Sequence, residues 1–388
     1  MYKIGIDARL YSQTGVGVYL KNLLYFLEKN TKRDIFFYIY LLPEDYSKVK
    51  FTSKYFIKKL THSRWHTFSE QIDFARLLYK DNLDLAHFTY FSYPILYKKK
   101  FIATVHDTTP LSFKTGKAST KNPLSYELKF RAFQFVISQQ IKNAIKVITP
   151  SKTVKKQLLN LYGKSIRGLA DKIVPIYEGV DYELMKLEVG GWKLDENIKK
   201  SAILKRLTSN SKPLFIYVGN FYPHKNVENL IKAFAKVSRN AQLILIGPDD
   251  YFSKRLTQLI NQLSQGKRIV FYHNPSKTEL IYFYKNASAL IHPSLSEGFG
   301  LPIIEAAYFN LPIIASDIEV FRELLGRSYI SFNSLSIDDI TKKINQFLSQ
   351  RKKVDYANLL KKFSFEKMAR QVYNLYQQML VKPTGDRR

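Results

Sequence analysis

The chain has 388 residues, 45% of them hydrophobic, no cysteine and a formal net charge of +29. That length suits two cores better than one, and the missing cysteine excludes disulfides and thiolate-held metal while fitting a reducing compartment. No run approaches the length of a transmembrane helix, and Asp7 cuts short the apolar start Tyr2-Lys3-Ile4-Gly5-Ile6, which reads as a strand rather than a signal peptide, so a cytoplasmic location is expected.

In chain order, short apolar strands alternate with longer helical patterns. Strands are expected at Lys3–Ile6, Phe36–Leu42, Leu85–Phe88, Ile102–Val105 and Val147–Pro150, with helices at Val18–Leu27, Gln71–Tyr79 and Leu124–Asn143. Lys186 to Lys212 turns polar and irregular around Gly190-Gly191 and reads as a linker. The pattern restarts with strands at Leu214–Gly219, Leu243–Gly247, Arg268–Tyr272, Ala287–Ile291 and Pro312–Ala315, and helices at Leu230–Val237, Tyr251–Leu263, Lys277–Tyr284 and Phe365–Leu380. Alternation of this kind predicts an α/β chain of two doubly wound parallel sheets, with ligands at the carboxyl ends of the strands. The expected division is 1–185, a linker at 186–212, a second domain at 213–364 and a terminal helical segment at 365–388.

The charge is uneven. Between Ser112 and Gly168 twelve lysines and arginines stand against one acid, Glu127, and aromatics accompany them in Phe130-Arg131-Ala132-Phe133-Gln134-Phe135. Nucleic acid, an anionic membrane or phosphate-bearing substrates all fit such a surface. A lysine-rich composition with solvated faces is the plain alternative.

The most informative stretch is His292-Pro293-Ser294-Leu295-Ser296-Glu297-Gly298-Phe299-Gly300-Leu301-Pro302-Ile303-Ile304-Glu305. A strand, a glycine turn and a helix start make an anion site, because backbone N–H groups and the helix dipole point the same way. Ionised carboxylates offer only acceptors. Glu297 therefore suits sugar hydroxyls and Glu305 a ribose, with the amides around Gly298 to Leu301 for phosphate. Any single Glu is by default a solvated surface residue; the block as a whole is not so easily explained.

Ser294, Glu297, Gly298, Phe299, Gly300, Leu301, Pro302 and Glu305 together resemble the signature of retaining glycosyltransferase family 4, two glutamates separated by seven residues with Gly-Phe-Gly-Leu-Pro after the first. The resemblance implies a GT-B fold, two Rossmann-like domains facing a cleft, with the last helix crossing back onto the N-terminal domain. It extends to other segments. Thr14-Gly15-Val16-Gly17 resembles the family's first loop, near the donor diphosphate, although a tight turn is the bland reading of Gly15 and Gly17. His106-Asp107 resembles the family's His-Asp after a strand, which makes His106 a sugar-contacting catalytic residue; Asp107 only orients the loop or contacts the sugar. Gly219-Asn220-Phe221-Tyr222-Pro223-His224-Lys225 resembles the diphosphate loop, with Lys225 as the fixed cation. Where family members often carry an Arg, this chain has His224 and Asn220. Ile148–Ser151 and Ile176–Asp181 also resemble family segments.

The reaction so implied is retaining transfer from a nucleoside-diphosphate sugar, with catalytic roles for His106, Lys225 and Glu297 and donor contacts from Gly15, Gly17, Gly219, Ser294, Gly298, Phe299, Gly300, Leu301 and Glu305. No His/Glu cluster has metal spacing and Asp249-Asp250 is not an Asp-x-Asp, so no metal or other cofactor is expected. The acceptor would be a glycan or a lipid-linked molecule of cell-surface polysaccharide synthesis, with the chain peripheral on an anionic membrane. GDP-mannose is the first guess, from His106–Leu111 and Tyr217–Asn226. The competing readings are a nucleotide-sugar epimerase or phosphorylase of the same architecture, and a nucleic-acid-binding protein, for which charge is the whole case; no nucleic-acid partner is expected.

Overall fold

The computed structural model describes residues 1–31, 34–112, 123–191, 212–238, 240–350 and 354–380, the side chains of 112 and 123–126 excepted. The chain divides into two compact units, Met1–Glu178 with the segment from Ser364, and Gly179–Phe363.

The first unit is built on a seven-stranded parallel sheet, in the order β3-β2-β1-β4-β5-β6-β7. Its strands are β1 Tyr2–Asp7, β2 Ile35–Leu41, β3 Phe56–Leu60, β4 Leu85–Phe88, β5 Phe101–Thr104, β6 Lys146–Thr149 and β7 Ile173–Pro175. Ile4 pairs with Phe37 on one side and Leu85 on the other, so the strand order reverses around β1. Such a reversal opens a crevice beyond the carboxyl ends of the strands. Helices cover both faces, which is why β4 and β5 are buried at every position and read as apolar runs. The helix Val16–Asn30 buries Tyr19, Leu20, Leu23, Leu24 and Leu27, spaced three and four apart on one stripe. It packs against the terminal helix Phe365–Leu380, whose Met368, Val372, Leu375 and Tyr376 form the answering stripe.

The second unit holds a six-stranded parallel sheet, β10-β9-β8-β11-β12-β13. These strands are β8 Leu214–Val218, β9 Gln242–Gly247, β10 Ile269–His273, β11 Ala289–His292, β12 Ile313–Ser316 and β13 Ile330–Phe332. The order reverses between β8 and β11. The core centres on Phe215, Leu230, Phe234, Leu243, Leu245, Ile291 and Ile344.

Three details differ from the expectations above. The first unit stops at Glu178, not at 185, because the helix Tyr182–Val189 is tied into the second: Asp181 pairs with Lys277, and Glu188 accepts from Lys285 at 2.8 Å. The linker expected at 186–212 lies mostly outside the described residues, and its first residues finish that helix. The helix expected at Gln71–Tyr79 is two pieces, a π-helical turn Glu70–Phe74 and an α-helix Ala75–Lys80. The turn carries Glu70 to Arg9 in the interior, 2.7 Å away.

Candidate active site

In the second unit the loops after β8 and β11 lie side by side at the reversal of strand order, where an open α/β sheet presents its ligand crevice. Backbone and side chain stitch them together. Leu295 N–H donates to the His224 carbonyl at 2.8 Å. Asn226 donates from Nδ2 to the carbonyls of Pro293 at 3.1 Å and Ser334 at 2.7 Å. Asn226 sits at φ 57°, a conformation that Asn tolerates better than most side chains, and it opens the helix Val227–Lys236. Lys225 is thereby fixed at the end of a short 3₁₀ turn, Pro223–Lys225.

Glu297 is the hub. Lys225 Nζ lies 2.7 Å from its Oε1, His292 Nε2 2.9 Å and Ser294 Oγ 2.8 Å. The three donors come from the β8 loop, the last residue of β11 and the turn after it, so a single oxygen ties the two loops. Gly300 follows at φ 95° and its Cα approaches Phe321 so closely that a Cβ would stand 2.9 Å from the ring; glycine is required there on both counts. The helix Leu301–Tyr308 then starts with Pro302 in its first turn, where a missing N–H costs nothing. Its N-terminus points a partial positive charge, about half an elementary charge, at the cluster's surroundings.

The electrostatics follow from burial against pairing. Burial opposes ionisation of Glu297, but the Lys225 charge and the His292 hydrogen bond outweigh it and hold the carboxyl well below the usual range. Burial pushes His292 down, with Glu297 pulling it part of the way back. His224 is pushed down to about 4, first by burial and then by the Lys225 charge. It is neutral at physiological pH and supplies no second cation beside Lys225. Asn220 supplies no charge either; its carbonyl accepts from the Tyr217 hydroxyl. Gly219 ends β8. Glu305, one turn into the helix, accepts from the Tyr284 hydroxyl at 2.7 Å, and burial raises its carboxyl against the pull of Tyr284 and Lys277. Phe299 packs on Phe363 with ring centroids 5.7 Å apart and serves the core.

In the first unit His106 lies just past β5. Its Nε2 is 2.9 Å from the Thr89 carbonyl beyond β4, and its Nδ1 is 3.3 Å from Glu178 beyond β7. Tyr19 meets the ring edge-on at 4.7 Å. Both ring nitrogens are thus engaged by the chain itself. Asp107 accepts from Thr109 N–H at 2.7 Å, an arrangement that orients the loop. Gly15 opens the helix Val16–Asn30, and a Cβ on Gly17 would come within 2.5 Å of the Tyr11 carbonyl, so that glycine serves the loop's own close packing.

Lys225, Ser294 and Glu297 therefore share one cluster, with Glu305 on the adjoining helix, while Gly15, Gly17, His106 and Asp107 belong to the other unit. Sequence reasoning assigned no role to His292, Asn226 or Glu178, although each stands inside a quoted motif. It also passed over Arg9, which is buried with Asp7 and Glu70, both within 2.7 Å of its Nη2, and lies over the Phe74 ring at 4.0 Å. Among the described residues, no group of three or more His, Asp or Glu could hold a metal ion, and no helix is long and apolar enough to cross a membrane.

Comparison with known proteins bears on the family and the fold. The family pattern of glycosyl transferases group 1 matches residues 199–363, and that of glycosyltransferase family 4 matches residues 14–184. The chain is 31% identical over 284 residues to the O-antigen chain mannosyltransferase RfbU of Salmonella typhimurium, covering 71% of this chain and 73% of RfbU. In structure it is similar to sucrose-phosphate synthase from Thermosynechococcus elongatus, with a TM-score of 0.72 at 18% identity over 98% of this chain and 99% of that one. It is also similar to Anabaena HepE in complex with UDP and glucose, with a TM-score of 0.71 at 15% identity over 97% of this chain and 100% of that one. The chain belongs to glycosyltransferase family 4, the group 1 glycosyltransferases, and is a glycosyltransferase of the GT-B fold.

Proposed function

We propose that this enzyme transfers a hexose, with retention of anomeric configuration and without a resident metal, from a nucleoside-diphosphate sugar to a glycan or lipid-linked acceptor of cell-surface polysaccharide synthesis. The observation that carries the reading is the Lys225–Glu297 pair beside the start of the helix Leu301–Tyr308. In the reaction the bond between the anomeric carbon and the diphosphate oxygen breaks, the acceptor oxygen bonds to the same face, and the leaving phosphate takes the acceptor's proton. Negative charge develops on that phosphate, and the Lys225 ammonium with a helix N-terminus stabilises it in the transition state. Glu297 accepts from sugar hydroxyls and Glu305 from the ribose. GDP-mannose is the first donor to test, on the strength of the RfbU likeness. For His106 to reach the sugar it must give up Glu178 or Thr89.

The acceptor side of the reading rests on the helix Pro123–Asn143. Leu128, Lys129, Arg131 and Phe135 are exposed there, a mixture of apolar and basic side chains suited to an anionic lipid surface. Co-sedimentation with anionic but not zwitterionic liposomes is the expected result; equal recovery with both removes the membrane part.

A thermal-shift series with GDP, UDP, dTDP and their sugars, EDTA present throughout, tests the donor. Stabilisation by one nucleotide supports a metal-independent site and names the base. Stabilisation that appears only in a parallel series with magnesium in place of EDTA overturns the metal-free part.

A further inference from the structure

The donor reading leaves one group at the centre of the second unit without a task. His292 is 1% exposed, ends β11 and places Nε2 2.9 Å from Glu297 Oε1. An ionised carboxylate only accepts, so Nε2 carries the hydrogen. The other nitrogen, Nδ1, is buried with no hydrogen-bond partner. A proton there would be a buried unsatisfied donor, so the ring is the neutral Nε2–H tautomer. Its plane is clamped by Tyr217, stacked at 5.6 Å and 15°, and by the edge of Phe321 at 5.6 Å. Tyr217 is itself held, through its hydroxyl, on the Asn220 carbonyl.

Resting on the proposal that Glu297 binds the donor sugar, we infer that His292 is the positioning residue for Glu297: it anchors Oε1 so that Oε2 is the oxygen presented to the sugar's hydroxyls. Lys225 and Ser294 reach the same oxygen, but they are different kinds of anchor. Lys225 ends in a rotatable ammonium on a flexible stem, and a bound diphosphate competes for it. Ser294 has a freely turning hydroxyl. His292 is neutral, so phosphate does not draw it away, and its ring cannot turn without breaking the Tyr217 stack. It therefore keeps Glu297 in place when Lys225 turns to the leaving group, which lets one cluster serve sugar and phosphate at once.

The variants His292→Gln and His292→Leu separate these ideas. The Gln amide reaches the Nε2 position and keeps the donor; Leu fills the space without one. His292→Asn, polar but too short to reach Oε1, replaces the Leu variant if that does not fold. Crystal structures and calorimetric binding of GDP and GDP-mannose are the readouts. Glu297 is expected to hold its rotamer in the Gln variant and leave it in the Leu and Asn variants. Affinity for GDP should stay unchanged in all of them. The advantage of GDP-mannose over GDP should fall about ten- to a hundredfold in the Leu and Asn variants, the range for a hydrogen bond to a charged group, and return with Gln. Glu297 unmoved in the Leu or Asn variant, or Gln no better than Asn, overturns the positioning role. A wild-type protein that binds GDP and GDP-mannose equally would instead overturn the sugar role of Glu297, and the rotamer of Glu297 in the variant crystals would still decide whether His292 positions it.

Discussion

Each unit carries an ion cluster just beyond the strand that sits at the reversal of its sheet, and the two clusters are finished differently. In the first, Arg9 Nε and Nη2 grip both oxygens of Asp7, Nη2 also meets Glu70 Oε1, and Nη1 donates to the Ser63 carbonyl at 3.0 Å. The remaining Glu70 oxygen accepts from His66 N–H at 3.0 Å. Burial alone would depress the Arg9 guanidinium; Asp7 and Glu70 more than reverse that and keep it charged. Every carboxylate oxygen there has a donor of the chain's own. In the second, three donors crowd onto Oε1 of Glu297. A closed network is architecture, because it has nothing left to offer a ligand. A network loaded on one oxygen keeps binding capacity, and it sits where the sheet directs ligands.

The sharpest way to break that contrast is to cut one member from each. Glu70→Ala leaves Arg9 buried with one acid fewer and is expected to destabilise the protein by about 3–5 kcal/mol, read by chemical denaturation. Lys225→Ala is expected to cost less stability than that, because Glu297 keeps His292 and Ser294 as donors, while turnover falls about a hundred- to a thousandfold, the range for removing a preformed stabiliser of developing charge. Equal effects of the two changes on stability would erase the distinction.

Smaller changes sharpen it. Tyr284→Phe removes the hydrogen bond to Glu305 at the cost of about 1.5–3 kcal/mol for a bond to a charged group. If Glu305 holds the ribose, nucleotide affinity drops by about tenfold or more and the GDP-mannose advantage over GDP is untouched, the opposite of what His292 variants do.

The gentlest test is acid. His87 bridges Tyr376 at 2.6 Å and Thr104 at 2.7 Å in the first unit, and burial, with help from the nearby His106, pushes it down to about 3. Its folded value lies below its unfolded one, so below about pH 6.5 the unfolded chain takes up the proton and the folded chain does not. Stability is therefore lost as pH falls from about 6.5 towards 3, by about 1.4 kcal/mol per pH unit from this residue. Denaturation midpoints at pH 7.5, 6 and 5 measure the slope, and His87→Gln should flatten it. An unchanged slope would mean that the chain from β4 to the terminal helix is not the acid-sensitive element.

What could be read in advance follows the same physics. The central strands β1, β4, β5, β8, β9 and β11 are buried on both faces, and their apolar runs are visible one strand at a time. The strands that escaped notice are edges. β3 is Phe-Ile-Lys-Lys-Leu, β7 is Ile-Val-Pro and β13 is Ile-Ser-Phe, short and mixed because an edge is covered on one side only. The break of the expected helix 71–79 into a π-helical turn could not be read either, since it answers to Arg9, distant in sequence from Glu70.

By itself the sequence determined the α/β class, the two sheets and the family, because strand burial, the glycine turn at Gly298–Gly300 and the spacing of Glu297 and Glu305 are local and act within a few residues. The tertiary structure decided which side chains work together. Lys225 and Glu297 are 72 positions apart and meet because β8 and β11 are neighbours at the reversal of the sheet. His292 became a candidate only once its ring was seen between Tyr217 and Phe321 with one nitrogen on Glu297 and the other on nothing. A hydrogen bond is a matter of a few ångströms and an angle, and no spacing along a chain encodes either until the sheet has set which loops lie side by side.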